Sequence, residues 1–482
     1  MRELGYRVVD LLVERWRDLP EKPAWVGASP DHAGELFSLD PPEEGRPYEE
    51  VLDEAVGGAL HHAARLDHPR FFAFVPSAPT WPGIVAEALT AGYNVFQGTW
   101  LEAAGPTRME LAVVDWFRSW LGLPADAGGL LTTGGSSANL MAAVLAREAA
   151  EAGSDGVVYL GEEAHSSLFR GARIAGFPAH RVRTLPVDDA FRTPPEAARR
   201  QIRRDRDAGL EPALLTATAG TTNTGSIDPL DELAAVCAEE GLWFHVDAAY
   251  GGFISVTPEG ERLLTGIQEA DSVTLDPHKW FFQPYEAGCL LVRDVPFLEE
   301  TFRVLPPYLQ DAESSRGEVN FADRGVELTR SFRALKIWLS VQVLGVRAFR
   351  QGVSQGLQLA RRAEQWIGEA PHLEASAPGA LGVVPFRFNP RNASMTDDEL
   401  EAVNRRLQED LMTSGYAMVS STRLRGRYTL RLCVLGHRSR WEDVKGTLAW
   451  IQRQGLRLIA GGGGGPEPPS GTGSDAEPGP RE

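Results

Sequence analysis

The sequence predicts an α/β protein whose central sheet is mostly parallel and is covered by helices on both faces. Two observations carry this prediction: short apolar runs bounded by turn residues recur from about residue 129, and helical stretches lie between several of them. Such alternation is typical of parallel sheets buried on both sides. The chain has 482 residues, more than one compact core usually holds, so two or three domains are expected.

An amphipathic helix is predicted at the N-terminus, over residues 4 to 19. Its apolar residues recur at helical spacing: Leu4, Val8, Leu11, Leu12, Trp16 and Leu19. Such a face must be covered by the body of the chain or by a partner subunit. A stretch rich in Pro and Gly follows, Pro20 to Pro47, and then a second helix around Tyr48 to Leu66.

Six apolar runs are the predicted strands of the main sheet. They are Leu130–Thr133, Gly156–Leu160, Ala213–Ala219, Leu242–Asp247, Ser272–Leu275 and Cys289–Val292. A helix over Asp228–Glu240 starts at an Asp-Pro pair and stops at Gly241. The basic run Arg199 to Arg206 follows Thr193 and Glu196, which predicts a capping box and a solvated helix face. In such a fold, active-site residues lie at the carboxyl ends of the strands.

The pattern changes in the last third of the chain. Helices are predicted near Arg333–Leu344, Val353–Ala370 and Thr396–Ser414, and strands at Val383–Phe388, Ala417–Ser420 and Tyr428–Val434. These elements indicate a smaller α+β domain. We therefore expect an N-terminal helical segment (1–75), a large α/β domain (76–345), a small C-terminal domain (346–460) and a disordered tail rich in Gly, Pro and Ser (461–482).

Composition excludes several classes of partner. The net charge of −18 disfavours nucleic acid and anionic membranes, which would repel the chain. No apolar stretch is suited to span a membrane, and no signal peptide is evident. Three scattered cysteines without a CxxC pair fit a reducing cytoplasm. His61, His62 and His68 lack the carboxylates or cysteines that would complete a metal site, so no metal is expected.

The turn after the first main strand, Thr132 to Asn139, offers an anion-binding site. Glycines end the strand, and Ser136 and Ser137 begin a helix. A helix start presents free N–H groups and the positive end of its dipole to a phosphate. The same pattern is also typical of an ordinary N-cap, so the segment alone is weak evidence.

Two further strands deliver ionisable side chains. Asp247 ends one strand and is followed by small residues, among them Ala249, against which a flat ring has room to lie. The carboxylate either caps the next turn or faces a pyridine nitrogen, whose pKa it would raise by roughly 1–3 units. Lys279 follows the next strand beside His278 and Trp280, and it is either a snorkelling lysine or a Schiff-base nucleophile.

Together these segments give the chain its resemblance to the group II pyridoxal-phosphate (PLP) decarboxylases of fold type I, the family of aromatic-L-amino-acid decarboxylase. The similarity extends from the first helix to about residue 455. The matching segments are His68–Phe74, Ala164–Ser167, Ala219–Thr222, His245–Tyr250, Pro277–Trp280 and Phe332–Lys336.

The resemblance implies a role for each site residue. Lys279 would carry the cofactor as a Schiff base, Asp247 would pair with the pyridine nitrogen, and His165 would stack on the ring and face the substrate carboxylate. Ser136, Ser137 and Asp276 would surround the phosphate, and Thr221, Ala249 and His278 would contact the cofactor. Ser77, Phe96 and Thr329 would contact the substrate. The family also implies a homodimer with interlocked N-terminal segments, with Phe96 reaching the neighbouring active site.

Three positions depart from familiar members of the family. Asp276 stands where an Asn is common, which sets an acid beside a phosphate. Thr329 stands where plant relatives carry Gly or Ser. Phe321 is aligned, with one gap, to the loop tyrosine that protonates the substrate carbanion; Tyr308 lies upstream in the same region.

The expected reaction is decarboxylation of an L-amino acid, with aromatic substrates favoured, to the amine and CO2. An aldehyde synthase is the main alternative, because Phe321 has no proton to give and the carbanion would be open to oxygen. An aminotransferase usually needs an Arg for a second carboxylate; Arg431 is available, but decarboxylases share it. A catalytically inactive PLP-binding scaffold is disfavoured by intact Lys279, Asp247 and His165.

Overall fold

The computed structural model describes residues 1–36, 40–75, 78–304, 317–391 and 394–461. Its strands are β1 Phe71–Phe72, β2 Gly128–Thr132, β3 Val157–Gly161, β4 Val182–Leu185, β5 Pro212–Thr218, β6 Trp243–Asp247, β7 Ser272–Leu275, β8 Gly288–Val292, β9 Leu373–Ala375, β10 Val383–Phe388, β11 Met418–Leu424 and β12 Arg427–Cys433. Its α-helices are α1 Arg2–Asp18, α2 Pro30–Leu36, α3 Tyr48–Ala55, α4 Trp81–Tyr93, α5 Trp100–Trp120, α6 Gly135–Ala149, α7 Ser166–Ile174, α8 Pro195–Asp207, α9 Leu230–Glu240, α10 Pro258–Leu263, α11 Val295–Phe302, α12 Ala334–Glu369, α13 Asp397–Thr413 and α14 Trp441–Ile459.

The main sheet has seven strands in the order β2-β8-β7-β6-β5-β3-β4. Strand β8 is antiparallel to both of its neighbours, and the other pairs are parallel. Six strands therefore run in one direction. This strand order and direction confirm the predicted α/β fold. The carboxyl ends of those six strands therefore lie at one edge of the sheet.

The strands of the main sheet are apolar because both of their faces are covered. All residues of β3, β5, β7 and β8 are buried. The edge strand β4 was not predicted, because three of its four residues are only partly buried or exposed and its sequence lacks the apolar run of its neighbours. A strand at the edge of a sheet need not be apolar on both faces.

A second sheet, in the order β1-β11-β12-β10-β9, lies in the C-terminal third of the chain. Its strand β1 comes from the N-terminal segment and pairs in parallel with β11, so residues 71–72 belong to the same sheet as residues 418–419. The two helices predicted on either side of residue 345 form one long element, α12, interrupted at Gly345, where φ is +72°. The proposed domain boundary falls at this interruption and stays a prediction.

One local prediction was wrong. Thr193 does not cap α8: the helix begins at Pro195, Pro194 takes the N-cap position, and no side chain caps it. The Thr193 amide instead donates to the Asp228 carboxylate at 2.7 Å. Arg199 does lie on the solvated face of the helix, where it pairs with Glu239 of α9.

Helix α1 has no buried residue in the single chain. Part of its apolar surface is open to solvent, including Tyr6, Val9, Leu12 and Val13. Among the described residues, no helix is both long and apolar enough to cross a membrane. The predicted disorder of the tail concerns residues that, from 462 onward, lie outside the described part of the chain.

Candidate active site

A cavity of about 420 Å³ opens where the loops after β2, β3, β5, β6 and β7 meet. Its lining comes from all five loops and the helices that follow them: Thr133, Gly134, Gly135, Ser136, Ser137, Asn139, His165, Ser167, Thr218, Gly220, Thr222, Asp247, Ala249, Tyr250, Asp276, His278, Lys279 and Glu286. Its volume is in the range of small-molecule sites. The parallel strands thus gather residues that are up to 153 positions apart in sequence, such as Thr133 and Glu286.

The start of α6 forms one wall of the cavity. The helix begins at Gly135, and Ser136 and Ser137 occupy its first turn. A Cβ at Gly135 would lie 3.1 Å from both the Ala249 Cβ and an oxygen of Asp276, so glycine lets this turn sit close against the loops after β6 and β7. Unpaired N–H groups, the helix dipole and two hydroxyls make this wall suitable for an anion.

Lys279 lies in the turn after β7 and also lines the cavity. Its Nζ is 2.9 Å from Asp276 Oδ2, and the carboxylate of Asp276 is buried. Burial alone would lower the pKa of Lys279, but the neighbouring carboxylate outweighs it and the pKa is raised. The second oxygen of Asp276, Oδ1, is buried without a hydrogen-bond partner in the part of the chain that is described.

Asp247 ends β6 with its carboxylate buried at the base of the cavity. One oxygen accepts a hydrogen bond from the Asn139 side-chain amide at 2.9 Å, and the other accepts from the Ala249 backbone N–H at 3.1 Å. Both contacts favour the charged form of a carboxylate. Ala249 itself lines the cavity, as the small side chain beside a flat ring was expected to do.

His165 is the N-cap of α7 and lies at the mouth of the cavity. Its Nδ1 accepts from the Ser167 backbone N–H at 3.2 Å and is 2.7 Å from the Ser167 hydroxyl. Partial desolvation lowers the pKa of His165, and the Asp247 charge opposes that effect. Burial likewise lowers the pKa of His278, which is 3.6 Å from Asp276.

These residues fit PLP. An anion-binding helix start, a buried carboxylate and a lysine face one cavity, and these are the groups needed for a phosphate, a pyridine nitrogen and an aldehyde. The orphaned Oδ1 of Asp276 is a buried acceptor that the protein leaves unpaired, as expected of a site completed by a ligand. No cluster of three or more metal-ligating side chains occurs within the described ranges.

Eight of the predicted site residues line the cavity together: Ser136, Ser137, His165, Asp247, Ala249, Asp276, His278 and Lys279. Thr221 does not, because its buried hydroxyl bonds to that of Thr224 at 2.8 Å, and its neighbours Gly220 and Thr222 reach the cavity instead. Phe96 and Thr329 do not line it in the single chain either. Ser77 lies outside the described residues, as does Tyr308.

Phe321, which was aligned to the protonating loop position, does not line the cavity in the single chain. It is 0% exposed and packs with Leu130, Met141 and Leu298. The guanidinium of Arg330 lies over its ring, 4.7 Å from the centroid. Its role at the protonating position stays a prediction.

Several lining residues were not singled out from the sequence: Asn139, Ser167, Thr218, Thr222, Tyr250 and Glu286. Asn139 and Ser167 lie in segments that the sequence did mark, one turn into α6 and directly after His165. The sequence offered one signal for Asn139, because it is a polar residue among the small and apolar buried residues of α6.

The chain matches known proteins along most of its length. The family model described as "Pyridoxal-dependent decarboxylase conserved domain" matches residues 30–389. An aromatic-L-amino-acid decarboxylase of Bacillus atrophaeus is 39% identical over 448 residues, covering 92% of this chain and 93% of the relative. A phenylacetaldehyde synthase of Arabidopsis thaliana is 29% identical over 95% of this chain and 96% of the relative. The solved structure of Oryza sativa TDC with PLP and tryptamine superposes with a TM-score of 0.90 at 27% identity, covering 95% and 98% of the two chains.

Proposed function

The chain belongs to the family of pyridoxal-dependent decarboxylases, and we propose that it converts an aromatic L-amino acid to the corresponding amine and CO2. It is a carboxy-lyase, and its cofactor is PLP. The observation that carries the proposal is the convergence of Lys279, Asp247, His165 and the start of α6 on one cavity. The aromatic substrate class is supported by the 39% identical relative, whose name specifies aromatic L-amino acids.

Each wall of the cavity would hold one part of the cofactor. Ser136 and Ser137, with the N–H groups of α6, would hold the phosphate. Asp247 would hold the pyridine nitrogen and Lys279 the aldehyde carbon. When bound, PLP supplies the electron sink for the electrons left by the broken bond to CO2. The buried carboxylate of Asp247, fixed by two donated hydrogen bonds, is suited to keep the ring nitrogen protonated.

The chain's own side chains hold the protons. Lys279 Nζ donates to Asp276 Oδ2, so an ammonium at this position has a partner when the lysine is not bound covalently. His165 has its Nδ1 committed to Ser167, which leaves Nε2 as the ring atom available to the substrate carboxylate. Orienting that carboxylate and excluding water are the protein's share of the rate enhancement.

We also propose that the enzyme is a cytoplasmic homodimer. Exposed apolar side chains are concentrated on α1, α3, α4 and the start of α5: Tyr6, Val9, Leu12, Val13, Tyr48, Val51, Val85, Leu89, Tyr93 and Leu101. A surface of this kind supports an interface, because single chains rarely expose large apolar patches. The substrate contacts assigned to Ser77, Phe96 and Thr329 then concern the assembled dimer. The three cysteines are buried and free, which supports a reducing compartment.

Aldehyde formation is the second candidate function, because a phenylacetaldehyde synthase is among the relatives. Phe321 lies outside the cavity in the single chain and adds no support from this structure. We therefore place decarboxylation to the amine first.

A product screen tests the proposal. The natural L-amino acids are incubated with holoenzyme, and CO2, amine, aldehyde, peroxide and keto acid are measured. CO2 with an equal amount of amine, for an aromatic substrate, is the expected result. Lys279→Ala should abolish it, whereas Lys445→Ala, on an exposed position of α14, should not. Keto acid exchange, or release of CO2 from non-aromatic substrates alone, would contradict the proposal.

A further inference from the structure

Asn139 lies at the centre of a buried hydrogen-bond network behind the cavity. Its side-chain nitrogen is 2.9 Å from Asp247 Oδ2 and 2.9 Å from the Ser167 hydroxyl. Its side-chain oxygen is 2.7 Å from the Thr274 hydroxyl and 3.0 Å from His245 Nε2. One amide thus contacts residues that follow or belong to β3, β6 and β7, and only 2% of Asn139 is exposed.

The network fixes the orientation of this amide. A carboxylate only accepts hydrogen bonds, so the group that faces Asp247 must be the –NH2 of Asn139. The oxygen then accepts from Thr274 and from His245 Nε2–H. At the far end, His245 Nδ1 accepts from the Ser272 hydroxyl at 2.8 Å, which in turn accepts from the Trp243 indole N–H. Burial lowers the pKa of His245 to about 4, so this ring is neutral, with its proton on Nε2.

The same reasoning fixes the tautomer of His165. The Ser167 backbone N–H can only donate, so His165 Nδ1 is an acceptor. Because Asn139 donates to the Ser167 hydroxyl, that hydroxyl is free to donate its own proton to His165 Nδ1, 2.7 Å away. The neutral ring therefore carries its proton on Nε2, the nitrogen without a partner among the described residues.

We propose that Asn139 is a positioning residue for the decarboxylase reaction: its –NH2 group joins Asp247 and His165, the two side chains that the proposed function sets against the cofactor ring. It donates to the Asp247 carboxylate and to the Ser167 hydroxyl, and the second bond leaves that hydroxyl free to donate to His165 Nδ1 beside the Ser167 backbone N–H. An anionic residue or an apolar one at this position breaks both links at once.

Other charged groups also face this unit, and any pH measurement must allow for them. From the loop after β7 they are Asp276, His278 and Lys279; from β6, His245; from α7, Arg170; and from the segment before β8, Tyr285 and Glu286. These groups are unchanged in the variants below, so a difference between variants reports on the amide.

Two substitutions separate the donor half of the amide from its acceptor half. Asn139→Asp keeps the shape and an oxygen for Thr274 and His245, but its second oxygen faces Asp247 and cannot donate when ionised. Asn139→Leu removes both halves. Asn404→Leu is the matched control: Asn404 is 0% exposed and bonds to Phe388 and Leu400 in the C-terminal part of the chain.

The first measurement is the pH titration of the bound cofactor's absorbance. The second is the ¹⁵N NMR spectrum of holoenzyme labelled at histidine, in which the His165 signals are identified by their loss in His165→Gln. Both Asn139 variants should shift the pH titration of the cofactor's absorbance, because each removes a hydrogen bond donated to the carboxylate that faces the pyridine nitrogen. The Ser167 backbone N–H still donates to Nδ1, so His165 should keep its proton on Nε2. In Asn139→Asp the new carboxylate can accept the Ser167 hydroxyl proton, so the ¹⁵N shift of His165 Nδ1 should change, and kcat should fall about 10- to 100-fold in both variants. Asn404→Leu should lower thermal stability without moving either spectroscopic signal.

A wild-type absorbance titration together with a wild-type ¹⁵N shift of His165 Nδ1 in Asn139→Asp would overturn the proposal, and this variant decides the matter if Asn139→Leu does not fold. Loss of thermal stability alone, as in the control, would also overturn it. Failure of the wild-type chain to bind PLP would instead refute the proposed function, so the two failures are distinguishable.

Discussion

Replacing Phe321 by tyrosine tests whether the structure or the sequence alignment places this residue correctly. The Phe321 side chain is 0% exposed and packs against Leu130, Met141 and Leu298. A tyrosine hydroxyl here would be buried in a largely apolar cluster, which costs about 1–3 kcal/mol when the hydroxyl finds no partner. At roughly 2–4 °C per kcal/mol for a large domain, the melting temperature should fall by about 2–12 °C.

The assay pairs thermal unfolding with product analysis in air. For Phe321→Tyr we expect a lower melting temperature and an unchanged ratio of amine to aldehyde, because the ring does not reach the cavity. Phe321→Leu is the matched control: it adds no hydroxyl but removes the ring under the Arg330 guanidinium. It should also be destabilised, with the same product ratio.

Tyr308→Phe supplies the contrast, since Tyr308 lies upstream of Phe321 in the sequence and its hydroxyl has a proton to give. If that hydroxyl is the donor, this variant should release more aldehyde and peroxide. A product ratio that changes in Phe321→Tyr while its melting temperature does not would refute the core assignment and restore Phe321 to the loop position.

Four further predictions follow from the same contacts. Borohydride reduction of the holoenzyme should label Lys279; a label on Lys336, which is buried and paired with Glu87, would contradict the assignment. Leu12→Asp with Val13→Asp should dissociate the dimer in sedimentation, while Glu14→Ala should not; an unchanged dimer would place the interface elsewhere. Glu110→Gln should cost about 3–5 kcal/mol in urea unfolding, because it removes the buried negative charge that compensates the Arg330 guanidinium. Glu401→Gln, in an exposed pair, should cost much less, and equal losses would refute this reasoning. Burial lowers the pKa of His68, His245 and His437 to about 4, so the unfolded chain binds protons at these histidines more readily than the folded chain does. The free energy of unfolding should therefore be highest above about pH 6.5 and fall by about 2 kcal/mol per histidine towards pH 5, partly offset by Asp228, whose pKa burial raises to about 6. A free energy of unfolding that does not change between pH 7 and pH 5 would contradict this prediction.

The sequence predicted most of the main sheet because burial on both faces leaves apolar runs that turn residues delimit. Ser272–Leu275 was predicted with its observed ends, and the other five runs within two residues. β1 was missed because two residues are too short for a periodic signal, and its pairing with β11 joins segments about 350 positions apart. Long-range pairing of this kind is absent from any local pattern.

The predicted site residues that line the cavity lie at or shortly after the carboxyl ends of strands. Position alone could place Asp247, Asp276 and Lys279 at the same edge of the sheet. Asn139 was missed because its role depends on which loops α6 packs against. The burial of Phe321 could not be read from the sequence, because an alignment gap carries no information about the contacts that the ring makes with Arg330 and the surrounding apolar side chains.

The charges at the cavity explain how an acid can stand where the family often has an amide. Asp276 is buried, and its Oδ2 is paired with the Lys279 ammonium at 2.9 Å, so the two charges compensate one another in the free enzyme. Burial lowers the pKa values of His165 and His278, so neither ring adds a full positive charge near neutral pH. We therefore infer that a phosphate would be stabilised by the N–H groups and hydroxyls at the start of α6 rather than by a cation. On this proposal Asp276 would serve as the partner of the Lys279 ammonium.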